Sequence, residues 1–165
     1  MWYVEGIGVV KSPRGLTLNG ITYPRKIFTH WNTTELATIG IKPYSETIIN
    51  DRYYISGELT IDSSGPTAVG TVATVDRDAV ELKTQMKRDI NAHSSAVLLL
   101  SDWMQHREAE GGTAMHADWK TYRAGIRTTS NTKDTEVDAL ADTVAACKAY
   151  EEATHIGSGW PTEPA

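Results

Sequence analysis

The feature that most constrains the fold is a change of hydrophobic period at Val75. Residues 1–75 hold 26 Val, Ile or Thr and eight of the 13 glycines, which suits pleated, half-buried strands broken by turns better than helices. Beyond Val75, apolar residues recur at Ala79, Leu82, Met86, Ile90, Val97, Leu100 and Met104, close to the spacing of one helical face. One switch of period predicts an α+β chain. We expect an N-terminal antiparallel β domain over residues 1–75, a small sandwich or barrel-like, and a helical domain of about three helices over 76–165. Charge divides at the same place: residues 1–75 carry six basic and six acidic residues, residues 76–165 carry ten and fifteen, so the second part holds all of the net −5.

In the first part, Leu16 to Tyr23 predicts a hairpin, because Asn19-Gly20 accepts the positive φ angles of a two-residue turn. A second strand pair is expected from Tyr53–Ile61 through Asp62-Ser63-Ser64-Gly65-Pro66 into Thr67–Val75, with turn residues that supply the unusual backbone angles. Between them, Asn32 and Glu35 have capping-box spacing and Gly40 is a stop, predicting a short helix. In the second part, Asp76 is a candidate cap for a long helix from Arg77 to Leu100. Its stripe also has a seven-residue component, interrupted by Lys83 and His93, that either packs on neighbouring helices or presents to copies of the chain. A second helix is expected over Ala117–Thr128, a loop at Ser130-Asn131-Thr132-Lys133, and a third helix carrying Val137, Leu140, Val144 and Cys147. The tail from His155 to Pro161 has no period and reads as extended.

Chemistry is sparse. Gly6-Ile7-Gly8 lacks a third glycine and a following helix, there is no phosphate loop, and no serine stands in a Gly-x-Ser-x-Gly elbow. The single cysteine, Cys147, lies on an apolar stripe, where it reads as a small hydrophobe. His106, Glu108, Glu110, His116 and Asp118 gather possible metal ligands around Gly111-Gly112, but in a charged turn rather than at helical zinc spacing. The expectation is no enzyme, no cofactor, no metal and no small-molecule substrate. The acidic balance argues against nucleic acid, and no run approaches the roughly 18 apolar residues of a membrane span. No secretory leader is visible. The aromatic set is five Trp and seven Tyr against one Phe, a bias toward side chains that join apolar area to a polar handle, as at protein interfaces. Trp31, Tyr53, Tyr54, Trp103 and Trp119 are therefore candidates for partner contact.

The run Leu98-Leu99-Leu100-Ser101-Asp102-Trp103, then Trp119-x-x-Tyr122-Arg123, and finally Trp160-Pro161 resembles, in that order, the C-terminal region of phage tail fibre assembly chaperones. The resemblance covers about residues 77–165. Upstream, Tyr23-Pro24, Leu36 and Ile39-Gly40-Ile41 look like the N-terminal segment of the same phage proteins. This chain departs from them with two glycines between Glu108 and Met115, where family members often have a proline-containing loop. The resemblance implies a helper that acts in the host cytoplasm during phage assembly, binding the distal part of a trimeric tail fibre, in three copies, and assisting its folding and trimerisation. It marks Asp102, Trp103, Trp119, Tyr122, Arg123 and Trp160 as candidate partner-binding or motif residues. Two alternatives remain: a permanent tail component at the fibre tip or baseplate, and a carbohydrate-active enzyme using the acidic residues near Gly111.

Overall fold

The computed structural model describes residues 1–154 and 156–164. The chain forms two compact units, Met1–Val75 and Asp76–Ala165, divided at the residue where the hydrophobic period changes. Among the described residues it is α+β, with a five-stranded sheet curled into a half-barrel, a two-stranded sheet, and six helices.

In the first unit, the strands are β1 (Trp2–Val4), β2 (Gly8–Val10), β3 (Leu16–Leu18), β4 (Ile21–Tyr23), β5 (Ile41–Glu46), β6 (Tyr54–Asp62) and β7 (Ala68–Asp76, whose last residue opens the second unit). The large sheet has the order β2-β1-β5-β7-β6, and β3 pairs with β4. Asn19 and Gly20 take φ of 50° and 79° at the β3–β4 turn, as their sequence requires. The short helix is also as expected: α2 (Thr33–Thr38, after α1 at Ile27–His30) starts with Glu35 N–H donating to Asn32 Oδ1 at 2.9 Å and Asn32 N–H donating to Glu35 Oε2 at 2.8 Å. Val4, Val10, Leu16, Leu18, Ile27, Phe28, Leu36 and Ile41 form the core.

The sheet is mixed rather than antiparallel throughout. β1 pairs antiparallel with β2 and β5, but β5 pairs parallel with β7, Tyr44 opposite Ala68 and Glu46 opposite Gly70. The β6–β7 hairpin forms as its sequence predicts, yet its returning strand, not its first, lies against β5. Two reversals of direction then leave β7 running with β5. Pro43 is tolerated inside β5 because Tyr44 N–H points to Met1 O on the β1 side. By alternation, the N–H that Pro43 lacks falls on the other side, before pairing with β7 begins at Tyr44.

The second unit contains α3 (Ala79–Leu99), α4 (Asp102–Ala109), α5 (Ala117–Ala139) and α6 (Val144–Thr154), four helices where about three were expected. The cap of α3 is Asp78, whose Oδ1 accepts from Val80 and Glu81 N–H; Asp76 is still part of β7. Leu82, Met86 and Ile90 of α3 are buried, and α3 packs along α5 and against α6. The expected loop at Ser130–Lys133 is instead the middle of α5, with Ser130 and Lys133 both buried. These polar residues sit at helical spacing between Ile126 and Val137 on the inner face. Ser130 Oγ bonds Asn91 Oδ1 of α3, and the Lys133 ammonium lies 5.9 Å from the Trp160 ring centre. The third predicted helix accordingly starts later, at Val144. Lys83, which interrupts the α3 stripe, reaches the C-terminal end of α5, donating to Leu140 O and to Asp142 Oδ1 at 2.7 Å. A cation there meets carbonyls left without helical partners. The stripe is thus used inside the unit along Leu82, Met86 and Ile90, while its far end at Leu100 is exposed. Of the tail, His155 lies outside the described residues, and 156–159 make turns rather than extended chain.

Gly70 stands where β5 and β7 meet, and a Cβ there would lie 2.0 Å from the Tyr44 Oη and 2.7 Å from its Cζ. Tyr44 is buried, so its ring has little room to yield. Gly70→Ala should destabilise the chain by about 1–3 kcal/mol in urea unfolding, and an unchanged midpoint would refute this packing.

Candidate interaction surfaces

Among the described residues, no three His, Cys, Asp or Glu side chains are placed to share a metal ion. The residues around Gly111 are engaged locally. Glu108 accepts from Lys120 Nζ at 2.6 Å and from Met115 N–H at 3.2 Å, and these contacts, Lys120 first, hold its carboxyl below the usual range. His116 Nδ1 accepts from Asp118 N–H at the start of α5. Cys147 is fully buried, and burial pushes its thiol pKa up, so it is not a poised nucleophile. The apolar dimple lined by Met86, Ile90, Lys133, Tyr150 and Ile156 has about 10 Å³ of free space, about one water.

The best-defined polar site is built on Arg123, which is only 3% exposed. Its position on α5, three residues before Ile126, turns it inward toward the corner where α3 ends and α4 begins. Nη1 donates to Leu98 O at 2.7 Å and to Ser101 Oγ at 2.6 Å; Nη2 donates to Asp102 Oδ1 at 2.6 Å and to Gln105 Oε1 at 2.8 Å. Four of five guanidinium N–H groups are thereby used, while Nε is buried with no hydrogen-bond partner among the described residues. Leu98 O is a carbonyl of the last turn of α3, so Arg123 both caps one helix and holds the first turn of the next. Beside it, Gln105, Glu108, Met115, Lys120 and Arg127 line an open polar groove of about 300 Å³.

The aromatic candidates separate into two kinds. Tyr53 is buried, its ring edge-on to half-buried Tyr54 at 6.3 Å. Trp119 and Tyr122 are half-buried and perpendicular at 5.7 Å, with the Tyr122 hydroxyl pKa raised by burial and by Glu163. Trp160 is half-buried, its ring 4.8 Å from that of His93, and its indole N–H donates to Ile156 O. Next to it, Pro161 fits against Gly125, where a Cβ would approach to 3.0 Å. These five make packing contacts within the chain. By contrast, Trp31 is 37% exposed beside Tyr23, and Trp103 is 53% exposed, with the Arg107 guanidinium 5.0 Å from its ring centre.

Sequence reasoning did not single out the apolar residues that stand outward with them. Leu99 and Leu100, at the same corner as Trp103, are 68% and 69% exposed. Ile55, Leu59, Val69 and Val75 of β6 and β7 are also exposed. Their types were legible, but exposure depends on which strand and helix ends remain uncovered.

Arg123→Met removes all four bonds, while Leu98 O keeps the Ser101 N–H and Asp102, 38% exposed, can turn to water; it should cost about 1.5–3 kcal/mol in unfolding free energy. Trp103→Ala should change stability by less than about 0.5 kcal/mol. Equal losses in the two variants would mean that Trp103 is core. No protein-family model, curated protein or solved structure matches the chain.

Proposed function

We propose that the chain is a phage tail fibre assembly chaperone, which binds the distal part of a trimeric fibre in the host cytoplasm and assists its folding and trimerisation, three copies to a fibre. The observation that carries this reading is the engagement of residues from the separated motif pieces with one another's surroundings. Asp102, from the first piece, is paired with Arg123, from the second. Pro161, from the third, sits on Gly125, two residues beyond Arg123. The three pieces thus make contacts within the second unit, the first with the second and the third with α5.

The remaining support is physical. Intertwined β-rich fibre tips pair slowly and expose edges and apolar surface while they do so. A helper for such a process needs apolar side chains held outward on a stable scaffold, and Leu99, Leu100 and Trp103 provide them. The reading calls for no cofactor, metal, nucleic acid, membrane or small-molecule substrate.

Co-expression with its fibre should raise the yield of soluble, trimeric fibre at least severalfold, measured by gel filtration and by the heat-resistant trimer band on gels. Equal yields with and without the chain would overturn the chaperone reading. Stoichiometric recovery of the chain in purified particles would make it a permanent tail component instead.

A further inference from the structure

We propose that the outer edge of β6 is a docking edge for a single extended strand of a partner protein, and that this strand is neutral or basic. The inference deepens the proposed function and rests on its reading of the chain as a binder of another protein's β structure. It identifies the surface and the chemistry of the segment received.

The large sheet ends at β6 on one side and at β2 on the other. The two edges differ. β2 is three residues long and is followed by Ser12-Pro13, whereas β6 is nine residues long with no Lys or Pro in it. Short strands, lysines and prolines are the usual protection of a sheet edge, and β6 has none of them. β5 pairs with β7 over Ala68–Gly70, so from Thr71 to Val75 only β6 flanks β7 in the sheet. What extends beyond Gly70 is a two-stranded ribbon, an arrangement of marginal stability alone.

One face of the ribbon is apolar. A Cβ on Gly57 would lie 3.1 Å from Ala73 O, and Thr60 Oγ1 donates to Thr71 O, so residue numbers run in opposite senses along the two strands. With Gly57 beside Ala73, Ile55 falls beside Val75 and Ile61 beside Val69, with Leu59 between them on the same face. Val69 is opposite Ser45, two residues from Pro43 and four from Ile41, which belongs to the core. The face that the core covers under β1 and β5 therefore continues along the ribbon with Ile55, Leu59, Val69 and Val75 exposed. An added strand would pair with the outer backbone of β6 beyond Tyr54, whose N–H donates to Asn50 O, and set alternate side chains beside Ile55 and Leu59.

Charge selects the occupant. From Tyr53 to Val75 the charged residues are Glu58 and Asp62, both acidic. Glu58 is the midpoint of β6. A second copy pairing antiparallel over the full length of β6 would set Glu58 opposite Glu58, and a parallel one in register would stack both carboxylates on their counterparts, which is repulsive in either case. A foreign strand with Lys, Arg or neutral residues avoids that repulsion.

The full chain, labelled with nitrogen-15, should be titrated with two synthetic nine-residue peptides of alternating Thr and Val, one with three lysines on the polar face and one with three glutamates. The lysine peptide should shift amides of Tyr54–Asp62 and bind at least tenfold more tightly than the glutamate peptide. Glu58→Lys should reverse that preference. Joint Ile55→Thr and Leu59→Thr should weaken the lysine peptide at least fivefold while leaving the amide spectrum of residues 79–154 unchanged. Equal binding of both peptides, shifts confined to other residues, or a dimer in sedimentation that Glu58→Lys strengthens would overturn the proposal. Because the peptides replace the fibre, failure here leaves the fibre co-expression result standing, and failure there leaves peptide binding standing.

Discussion

The second unit depends on the buried guanidinium of Arg123. Taking a guanidinium out of water is costly unless its N–H groups find acceptors, and a single charge in an apolar interior has few places where four acceptors converge. The corner between α3 and α4 is such a place, because a helix end leaves carbonyls without partners. Arg123 therefore ties the last turn of α3 to α4, and it pairs with Asp102 in the first turn of α4, the favourable end for a negative charge. With the turn held in this way, Leu99, Leu100 and Trp103 stand outward rather than joining the core. Their exposure follows from an interaction made by other residues.

In the first unit the comparable constraint is the order of strands. Both members of the β6–β7 hairpin are rich in β-branched residues, but only β7 places Ala68 and Gly70 where the Tyr44 ring needs small neighbours. β7 goes inward and β6 goes to the edge. From that choice come the parallel pairing with β5, the long unprotected edge, and the continuation of an apolar face beyond the core that α1, α2 and the β3–β4 hairpin cover.

What was legible in the sequence was local. Asn19-Gly20, the Asn32 and Glu35 box, the β6 and β7 runs and the apolar face of α3 each reside in a few adjacent residues, and each formed. The three-residue strands β1 and β2 carry too little pattern to register, and β5 includes a proline that argues against a strand. Ser130 to Lys133 read as a loop because hydroxyl, amide and ammonium side chains usually face water; Asn131 and Thr132 do, but Ser130 and Lys133 turn inward against Asn91 and Trp160, both remote in sequence. The candidate surface was half legible for the same reason. Trp and Tyr mark side chains suited to either core or interface, and the division between Trp103, exposed, and Tyr53 or Trp119, packed, is decided by distant neighbours.

Two apolar features thus stand exposed, one at the α3–α4 corner and one along the β6 edge, and the central claim is that the second receives β structure from a partner protein. Hydrogen exchange of the full chain, alone and with its purified fibre, tests this most directly. The account predicts that backbone amides of Tyr54–Asp62 become strongly protected in the complex. Unchanged exchange along β6, with protection gained elsewhere, would contradict it.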